Sequence, residues 1–305
     1  MVFSFVVVEQ YSRNLQIFVE QRYYNSVMNM NLRDRANKIE ISKEGLDLRQ
    51  RVLEVVKNSG RGHIGPALSI LEILEVVFGS IIDVTRLKSR NPDRDRFLLS
   101  KGHGCLGLYV ILEKYGLLGD LDLNTFCSFN SEFGGHPESN TVPAIEFSTG
   151  SLGHGLPVAV GMALAARLKR EKWRVFVLVG DGELNEGSNW EAAAHARKHE
   201  LDNLIVIVDY NDMQAYGTTN QVLDMNSLKE KWESFGFETC EINGHDLSSI
   251  KESLLTDSKK KNPKCVIAYT VKGKGIKDAE NSPIWHHKAK ISKEEVEKLK
   301  TGISN

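Results

Sequence analysis

The sequence has few cysteines and almost no net charge. Its four cysteines, Cys105, Cys127, Cys240 and Cys265, are scattered and form no C-x-x-C pair. Neither a disulfide framework nor a cysteine zinc site is therefore expected. The 39 lysines and arginines nearly balance the 40 aspartates and glutamates, so the formal net charge is −1. This balance argues against a nucleic acid or an anionic membrane as a partner held by bulk electrostatics.

Long apolar runs, repeats and low-complexity tracts are also missing. The apolar run at residues 2–8 is too short to span a bilayer, and it lacks the flanking features of a signal peptide. With no export signal, we expect a cytoplasmic chain with reduced thiols. No G-x-G-x-x-G motif opens the first helix, so an unrelated Rossmann dinucleotide binder is the least favoured interpretation.

The first 35 residues differ from the regular pattern that follows. We expect residues 1–35 to be an N-terminal extension, either disordered or a mis-annotated start, because Met28 and Met30 are both available as first residues. The alternative is an arm that packs on a partner. Residues 36–305 are expected to form one domain.

Short apolar runs rich in β-branched residues predict buried parallel strands. The two clearest runs, residues 174–179 and 204–208, are separated by a segment of helical character. Further strands are predicted at residues 97–100, 237–242 and 265–271, and helices at residues 46–57, 68–79, 157–169 and 185–199. This alternation predicts an α/β fold in which a mostly parallel sheet is covered by helices on both faces.

A Gly-Asp-Gly turn follows the first of these two runs. The glycine amides of Gly180-Asp181-Gly182 can approach a diphosphate closely, and the carboxylate can bind a hard cation. Asn211 follows the next strand, 30 residues after Asp181, so its side-chain carbonyl can reach the same cation. Gly-Asp-Gly is also ordinary turn sequence, but the strand context favours a site for a metal-bound diphosphate.

Several histidines lie beside glycine or in loop-like sequence, at His63, His103, His136, His154 and the pair His286-His287. A single histidine of this kind is usually a surface or core residue. Together they suggest a ligand site, because glycine lets the backbone approach while imidazole donates to phosphate or hydroxyl oxygens. Metal ligation is disfavoured, since no pair among them has i, i+4 spacing with a nearby glutamate.

These motifs, in this order, resemble the N-terminal half of transketolase, the thiamine diphosphate enzyme that moves two-carbon ketol units between sugars. The similarity runs from about residue 46 to 287. Residues 59–69 resemble the family's G-G-H-I/P-G loop, and five further blocks match: DRFLLSKGH at residues 95–103, FGGHPE at 133–138, TGSLGHG at 149–155, GDGELNEG at 180–187 and DYNDMQAYG at 209–217.

The resemblance implies a cofactor, a metal and a set of residues for each. Asp181, Asn211 and the backbone carbonyl of Met213 would hold Mg²⁺ or Ca²⁺, whose oxygen shell the diphosphate completes. Asn211 would thus also belong to the cofactor site. The diphosphate itself would be contacted by Gly182, His103 and His286.

The resemblance also implies sugar-facing residues. His63, His136 and His286 would bind sugar hydroxyls and move protons as the C–C bond breaks. Gly150 and Leu152 would border the cofactor rings. Glu186 would join a carboxylate network near a subunit interface.

Two positions depart from the family pattern. Tyr216 replaces an aspartate that often follows the asparagine block, and Arg61 stands where many members have a glycine or a polar residue. Both changes bear on which sugar fits, although Tyr216 is also explained by packing and Arg61 by solvation.

The chain matches only the diphosphate-binding half of the family. The other half carries the glutamate that activates the cofactor ring, so the resemblance implies a split enzyme. We expect a separate C-terminal-half subunit that binds the pyrimidine, an α2β2 assembly and sugar phosphate substrates. The alternatives are a subunit of a 1-deoxyxylulose-5-phosphate synthase or 2-oxoacid dehydrogenase, and a non-catalytic half that only binds the cofactor.

Overall fold

The computed structural model describes residues 31–256 and 261–303. The prediction for the extension at residues 1–35 therefore lies mostly outside the described residues, and the domain boundary stays a prediction. Residues 31–38 are helical and contact the domain. Ala36 is fully buried, and the Arg33 guanidinium lies 5.0 Å from the centroid of the Tyr210 ring.

Five strands form one sheet in the order β1-β2-β3-β5-β4, and all of their pairings are parallel. They are β1 Arg96–Leu99, β2 Val175–Gly180, β3 Leu204–Tyr210, β4 Glu238–Asn243 and β5 Lys264–Tyr269. Strands β2 and β5 are buried along their whole length, which explains why their sequences do not alternate between apolar and polar residues.

Helices cover both faces of the sheet. In chain order they are α1 Lys43–Ser59, α2 Ile64–Leu68, α3 Leu71–Val76, α4 Val84–Lys88, α5 Cys105–Lys114, α6 Gly155–Lys169, α7 Gly187–Lys198, α8 Thr219–Leu223, α9 Leu228–Ser234, α10 Leu247–Leu255 and α11 Lys293–Thr301. Because side chains alternate along a strand, Phe176 and Leu178 belong to the apolar core on one face, which also contains residues of α1, α3, α5, α10 and α11. Val177 and Val179 pack with α6, α7 and α9 on the other face. The predicted α/β fold is confirmed.

The prediction of one helix at residues 68–79 is wrong in detail. The chain forms α2, breaks at Ser69 and Ile70, and continues as α3 and a π-helical turn, Val77–Ile81. The break has a physical cause, because the Ser69 hydroxyl bonds the Pro66 carbonyl (3.1 Å) and the Asp209 carboxylate (2.8 Å). The break thereby places the Ser69 side chain against Asp209 at the end of β3.

One stretch of the described chain, Ile64–Ile81, is apolar enough to cross a membrane by length and composition alone. Its mean hydropathy is 1.7, but 83% of it is buried inside the molecule. A core helix that packs on a sheet has the same properties.

Candidate active site

The carboxyl ends of the five parallel strands lie at one edge of the sheet, where ligands of open α/β sheets bind. Residues with polar side chains, and Met213 with its backbone carbonyl, follow the strands at this edge. They are Lys101 and His103 after β1, Asp181 after β2, Asn211 and Met213 after β3, His245 after β4 and Lys272 after β5.

The three predicted metal ligands share one hydrogen-bonded junction between the β2 and β3 ends. The Asp181 carboxylate accepts backbone N–H bonds from Gly182 (2.8 Å) and Asp212 (2.6 Å). The Asn211 carbonyl oxygen accepts the Met213 N–H at 3.1 Å. The structure therefore brings Asp181, Asn211 and Met213 together, as the sequence predicts.

A buried lysine that the sequence analysis missed lies at this junction. The Lys272 ammonium donates to the Met213 carbonyl (2.6 Å) and to Nδ1 of His286 (2.8 Å). Burial lowers the pKa of Lys272 to about 8, although the charge of Asp181 opposes the shift. Burial and the charge of Asp209 raise the pKa of Asp181 to about 6. A cationic group thus already lies against one of the predicted metal ligands.

A second buried ion pair supports the junction from below. Asp209, at the end of β3, accepts bonds from Lys101, Ser69, Thr270 and the Asn211 amide. Burial raises the pKa of the Asp209 carboxyl, but the Lys101 charge and the hydrogen bonds from Lys101, Thr270 and Ser69 together lower it below its usual value. The Asn211 amide nitrogen donates to Asp209 (3.0 Å), and its carbonyl oxygen accepts the Met213 N–H, so that oxygen keeps one lone pair for a ligand.

The histidines at this edge form a cluster around His63. Its ring centroid lies 5.8 Å from those of His103 and His136, 6.3 Å from His286 and 4.5 Å from His287. The His103 and His286 rings stack at 5.5 Å. The three predicted catalytic histidines, His63, His136 and His286, are therefore neighbours.

Burial keeps four of these imidazoles, those of His63, His103, His136 and His286, neutral. It lowers the pKa of His63 to about 4 and that of His286 to about 3, and the nearby lysines and histidines add to both shifts. The pKa of His103 and that of His136 are lowered for the same reason. At neutral pH these rings can both donate and accept a proton.

Backbone contacts far apart in sequence bring the histidines together. Helix α1 is capped by Gly60, whose φ of 66° is in the left-handed region. Gly62 then forms an isolated antiparallel bridge with Lys288, so His63 and His287 lie side by side. His154 does not share this position, because it is exposed and its Nδ1 lies 2.9 Å from the Leu152 carbonyl.

The loop before α6 contains two further predicted cofactor residues, Gly150 and Leu152. The Thr149 hydroxyl bonds the Leu99 carbonyl at 2.7 Å, which ties the loop to the end of β1. Gly150 lies beneath His136, since a Cβ on it would be 3.4 Å from Cγ of that ring. Leu152 is half-buried in the same loop. The ring contacts predicted for Gly150 and Leu152 stay a prediction.

Four other positions singled out in the sequence, Gly182, Glu186, Arg61 and Tyr216, differ in how much space and solvent surround them. Gly182 has no room for a side chain, because a Cβ there would lie 2.8 Å from Cγ of Gln214. Glu186 is exposed at the start of α7, so its place in an interface stays a prediction. Arg61 is exposed, and Tyr216 is 96% exposed, which excludes packing as the role of Tyr216 within this chain.

A family model described as "Transketolase, thiamine diphosphate binding domain" matches residues 44–304. The chain belongs to the transketolase family. Among similar proteins, one of the subunits of the apulose-4-phosphate transketolase of Actinobacillus succinogenes is 42% identical over 250 residues, covering 82% of this chain and 91% of the relative. The 6-deoxy-6-sulfo-D-fructose transketolase subunit SqwG of a Clostridium species is 33% identical over 260 residues, covering 84% of this chain and 93% of the relative.

Solved transketolases share the fold. The Campylobacter jejuni enzyme matches with a TM-score of 0.73 and 32% identity, over 86% of this chain and 43% of that one. A Pichia stipitis transketolase in complex with sedoheptulose-7-phosphate matches with a TM-score of 0.75 and 30% identity, over 85% and 40%. This transketolase-family chain therefore spans about two fifths of the length of those chains.

Sequence reasoning missed Lys101, Asp209, Lys272 and the role of His287 within the cluster. Lys101 belongs to a block that was recognised, and Asp209 follows an apolar run as Asp181 does. Lys272 carries a similar signal, because it follows β5 and precedes Gly273. Lys101, Asp209 and Lys272 each directly follow a predicted strand, which is the sequence signal for this edge of the sheet.

Proposed function

We propose that this chain is the diphosphate-binding subunit of a two-chain transketolase. The assembled enzyme transfers a two-carbon ketol unit (glycolaldehyde transfer) from a ketose phosphate to an aldose phosphate. The observation that carries the proposal is the cluster of histidine rings beside the Asp181, Asn211 and Met213 junction. Relatives of similar length that are themselves named as transketolase subunits support the division between two chains.

The residues at the junction fit thiamine diphosphate with Mg²⁺ or Ca²⁺. A carboxylate, an amide oxygen and a backbone carbonyl are the hard oxygen ligands that these cations prefer. Gln214 beside Gly182 has a buried Nε2 without a hydrogen-bond partner in the described chain, so a donor is available next to the glycine. We assign Asp181, Asn211 and Met213 to the metal.

The positive and imidazole groups of the site are assigned to the diphosphate. These are His103, His286 and Lys272, with the Gly182 amide. The Lys272 ammonium lies 2.6 Å from the Met213 carbonyl, so it is already beside the proposed metal. A phosphate oxygen bound beside Lys272 would supply negative charge to its ammonium, as the Asp181 carboxylate does in the structure.

The remaining histidines are assigned to the sugar. When bound, thiamine diphosphate supplies the carbon nucleophile on which the ketol unit is carried between sugars. His63 and His136 donate hydrogen bonds to sugar hydroxyls, and His63, His136 and His286 accept or return protons at the reacting carbonyl and hydroxyl oxygens. Their low pKa keeps them neutral, so each ring can act in both directions of a reversible transfer.

The sugar substrates are proposed by class. Relatives are named for apulose-4-phosphate and 6-deoxy-6-sulfo-D-fructose, both of which carry an anionic group. Among such anionic sugars, we propose a ketose phosphate as donor and an aldose or aldose phosphate as acceptor, as in pentose phosphate metabolism. Arg61 is exposed beside the His63 loop and provides a positive charge for such a group.

The proposed partner is a chain that resembles the C-terminal half of transketolase and binds the pyrimidine ring. It would contribute the carboxylate that activates the ring and would assemble with this chain as α2β2, with Glu186 at an interface. We propose a cytoplasmic enzyme without a nucleic acid or membrane partner, in agreement with the net charge of −1.

Reconstitution tests the proposed function. The full chain, the partner chain and their mixture are each assayed with thiamine diphosphate, Mg²⁺ and a panel of ketose and aldose phosphates. We expect transfer by the mixture alone and an α2β2 mass in analytical ultracentrifugation. Full activity of this chain without a partner would contradict the two-chain proposal. Release of CO₂ from pyruvate, without ketol transfer, would instead indicate a different thiamine diphosphate reaction.

A further inference from the structure

A buried series of polar side chains leads from helix α1 to the backbone beside Lys272. Arg49 donates two bonds to Glu72, with Nη1–Oε1 at 2.8 Å and Nη2–Oε2 at 3.1 Å. His245, which follows β4, has its Nδ1 2.8 Å from Oε2 of the same carboxylate. The backbone N–H of Val271 donates to Nε2 of His245 at 2.9 Å. Arg49, Glu72 and His245 are all buried.

These contacts define one tautomer of His245. Its Nε2 accepts the Val271 N–H, so the ring proton must lie on Nδ1, which donates to Glu72. Burial would raise the pKa of Glu72, but the charge of Arg49 and the bond from His245 lower it to about 2. Glu72 therefore stays an acceptor, and it orients the ring as outer carboxylates orient histidines in metal sites.

The backbone after Lys272 is anchored as well. Nε of Arg49 donates to the Lys274 carbonyl at 2.6 Å, and the Gly273 N–H donates to the Gly65 carbonyl at 3.1 Å. Gly273 has a φ of 82°, which glycine adopts without strain. The same arginine thus holds both the His245 partner and the far side of the lysine loop. Lys272 extends from a segment that is fixed at both ends.

We propose that His245 is a positioning residue for the diphosphate, because it fixes Val271 and with it the ammonium of Lys272. Glu72 and Arg49 hold the ring in the orientation that makes this possible. The inference rests on the proposed function, which assigns Lys272 to the diphosphate. Without the His245 acceptor, the buried Val271 N–H has no partner, and the loop relaxes away from the position that places Nζ beside Met213.

Two substitutions at His245 separate positioning from simple loss of a side chain. In His245→Asn the amide replaces Nδ1 and can still donate to Glu72, but no atom remains at the position of Nε2. In His245→Gln the longer side chain brings an oxygen to that position, so the Val271 N–H keeps an acceptor. Both variants carry a neutral amide, and they differ in whether an acceptor for the Val271 N–H lies at the position of Nε2.

The experiment uses the full chain reconstituted with its partner. We expect His245→Asn to raise the dissociation constant for Mg²⁺–thiamine diphosphate about tenfold, as the loss of one buried hydrogen bond implies. At saturating cofactor, kcat and the sugar KM should stay near those of the wild type. His245→Gln should restore the dissociation constant to within about threefold of the wild type. Calorimetric titration measures binding, and the unfolding midpoint is recorded for each variant.

A double-mutant cycle with Lys272→Met shows whether His245 acts through the lysine. We expect His245→Asn to have no further effect on cofactor binding once Lys272 is methionine. An equal loss in both backgrounds would overturn the inference, as would wild-type affinity of the Asn variant. If the wild-type complex binds no cofactor, the proposed function fails instead.

The tautomer gives a test that needs no folded variant. ¹⁵N chemical shifts of His245 in the wild-type chain should show a protonated Nδ1 and an unprotonated Nε2. A protonated Nε2 would overturn the inference, because that nitrogen could not then accept the Val271 N–H.

Discussion

At the scale of single residues, the site combines opposite charges with neutral rings. Asp181 and Lys272 are both buried, and burial shifts the pKa of each toward its neutral form, to about 6 and about 8. A metal-bound diphosphate brings both signs of charge and can satisfy both groups. Burial lowers the pKa of His63 and that of His136, so both rings stay neutral, which suits hydrogen bonding to a sugar.

The substitution Asp181→Asn tests the metal assignment. It removes the only formal negative charge among the three proposed ligands, so Mg²⁺-dependent affinity for thiamine diphosphate should fall on the order of 100-fold. Titration calorimetry at pH 7 with and without Mg²⁺ measures this. The exposed Asp202→Asn serves as the control and should bind as the wild type does. Unchanged affinity of the Asp181 variant would reject the assignment.

At the scale of elements, the loop before α6 shows how packing shapes the site. Gly153 has a φ of 80°, and its N–H donates to the buried Glu183 carboxylate at 2.9 Å. Glu183 also accepts the Gly180 N–H at 3.1 Å and a bond from Ser100. One carboxylate therefore ties the loop to the ends of β1 and β2, close to Asp181.

The substitution Gly153→Ala should disturb this connection. The new Cβ would lie 2.6 Å from Cβ of Glu186 and would require a left-handed backbone, so we expect a loss of roughly 1–3 kcal/mol in unfolding free energy. Denaturant unfolding monitored by circular dichroism measures the loss. Gly161→Ala in α6 is the matched control. A Cβ there meets nothing within 4 Å, so it should gain about 0.5–1 kcal/mol. Equal stability of both variants would contradict the role of the loop.

At the scale of the whole molecule, the sheet brings buried ionisable groups from distant segments to one edge. Arg49, Lys101, Asp209 and Lys272 are all nearly inaccessible to solvent, and each has partners from other elements. Burial of charge without such partners would be strongly destabilising. Global stability is consequently coupled to the protonation state of this edge.

Stability should therefore depend on pH through the buried histidines. The pKa of His63 falls from 6.5 to about 4 in the folded chain, so the unfolded chain takes up the proton first as pH decreases. The contribution of His63 is present above pH 6.5 and is lost as pH falls toward 4. His63→Gln should reduce the slope of unfolding free energy against pH in this range by up to about 1.4 kcal/mol per pH unit.

Denaturant melts at several pH values between 4 and 7 measure the slope. The exposed His195→Gln is the control, and its slope should match that of the wild type. If His63→Gln keeps the wild-type slope, the pKa of His63 is the same in the folded and the unfolded chain, and the prediction is wrong.

The fold class, the strands and the glycine-flanked polar loops are predictable from the chain's residues, because apolar periodicity and turn chemistry are local properties. The 174–179 and 204–208 runs became β2 and β3 with shifts of one or two residues at their ends. The order of the motifs also predicts the family, and the family model that matches residues 44–304 confirms this prediction.

Which charged groups share the site depends on how the elements pack. Lys272 meets Met213 and His286, and His245 meets Glu72, across long separations in sequence. No local pattern encodes such distances, since they depend on strand order and on how each loop returns to the sheet. Burial likewise sets the pKa of His63 and Asp181, because loss of water around an ionisable group is a property of the packed molecule.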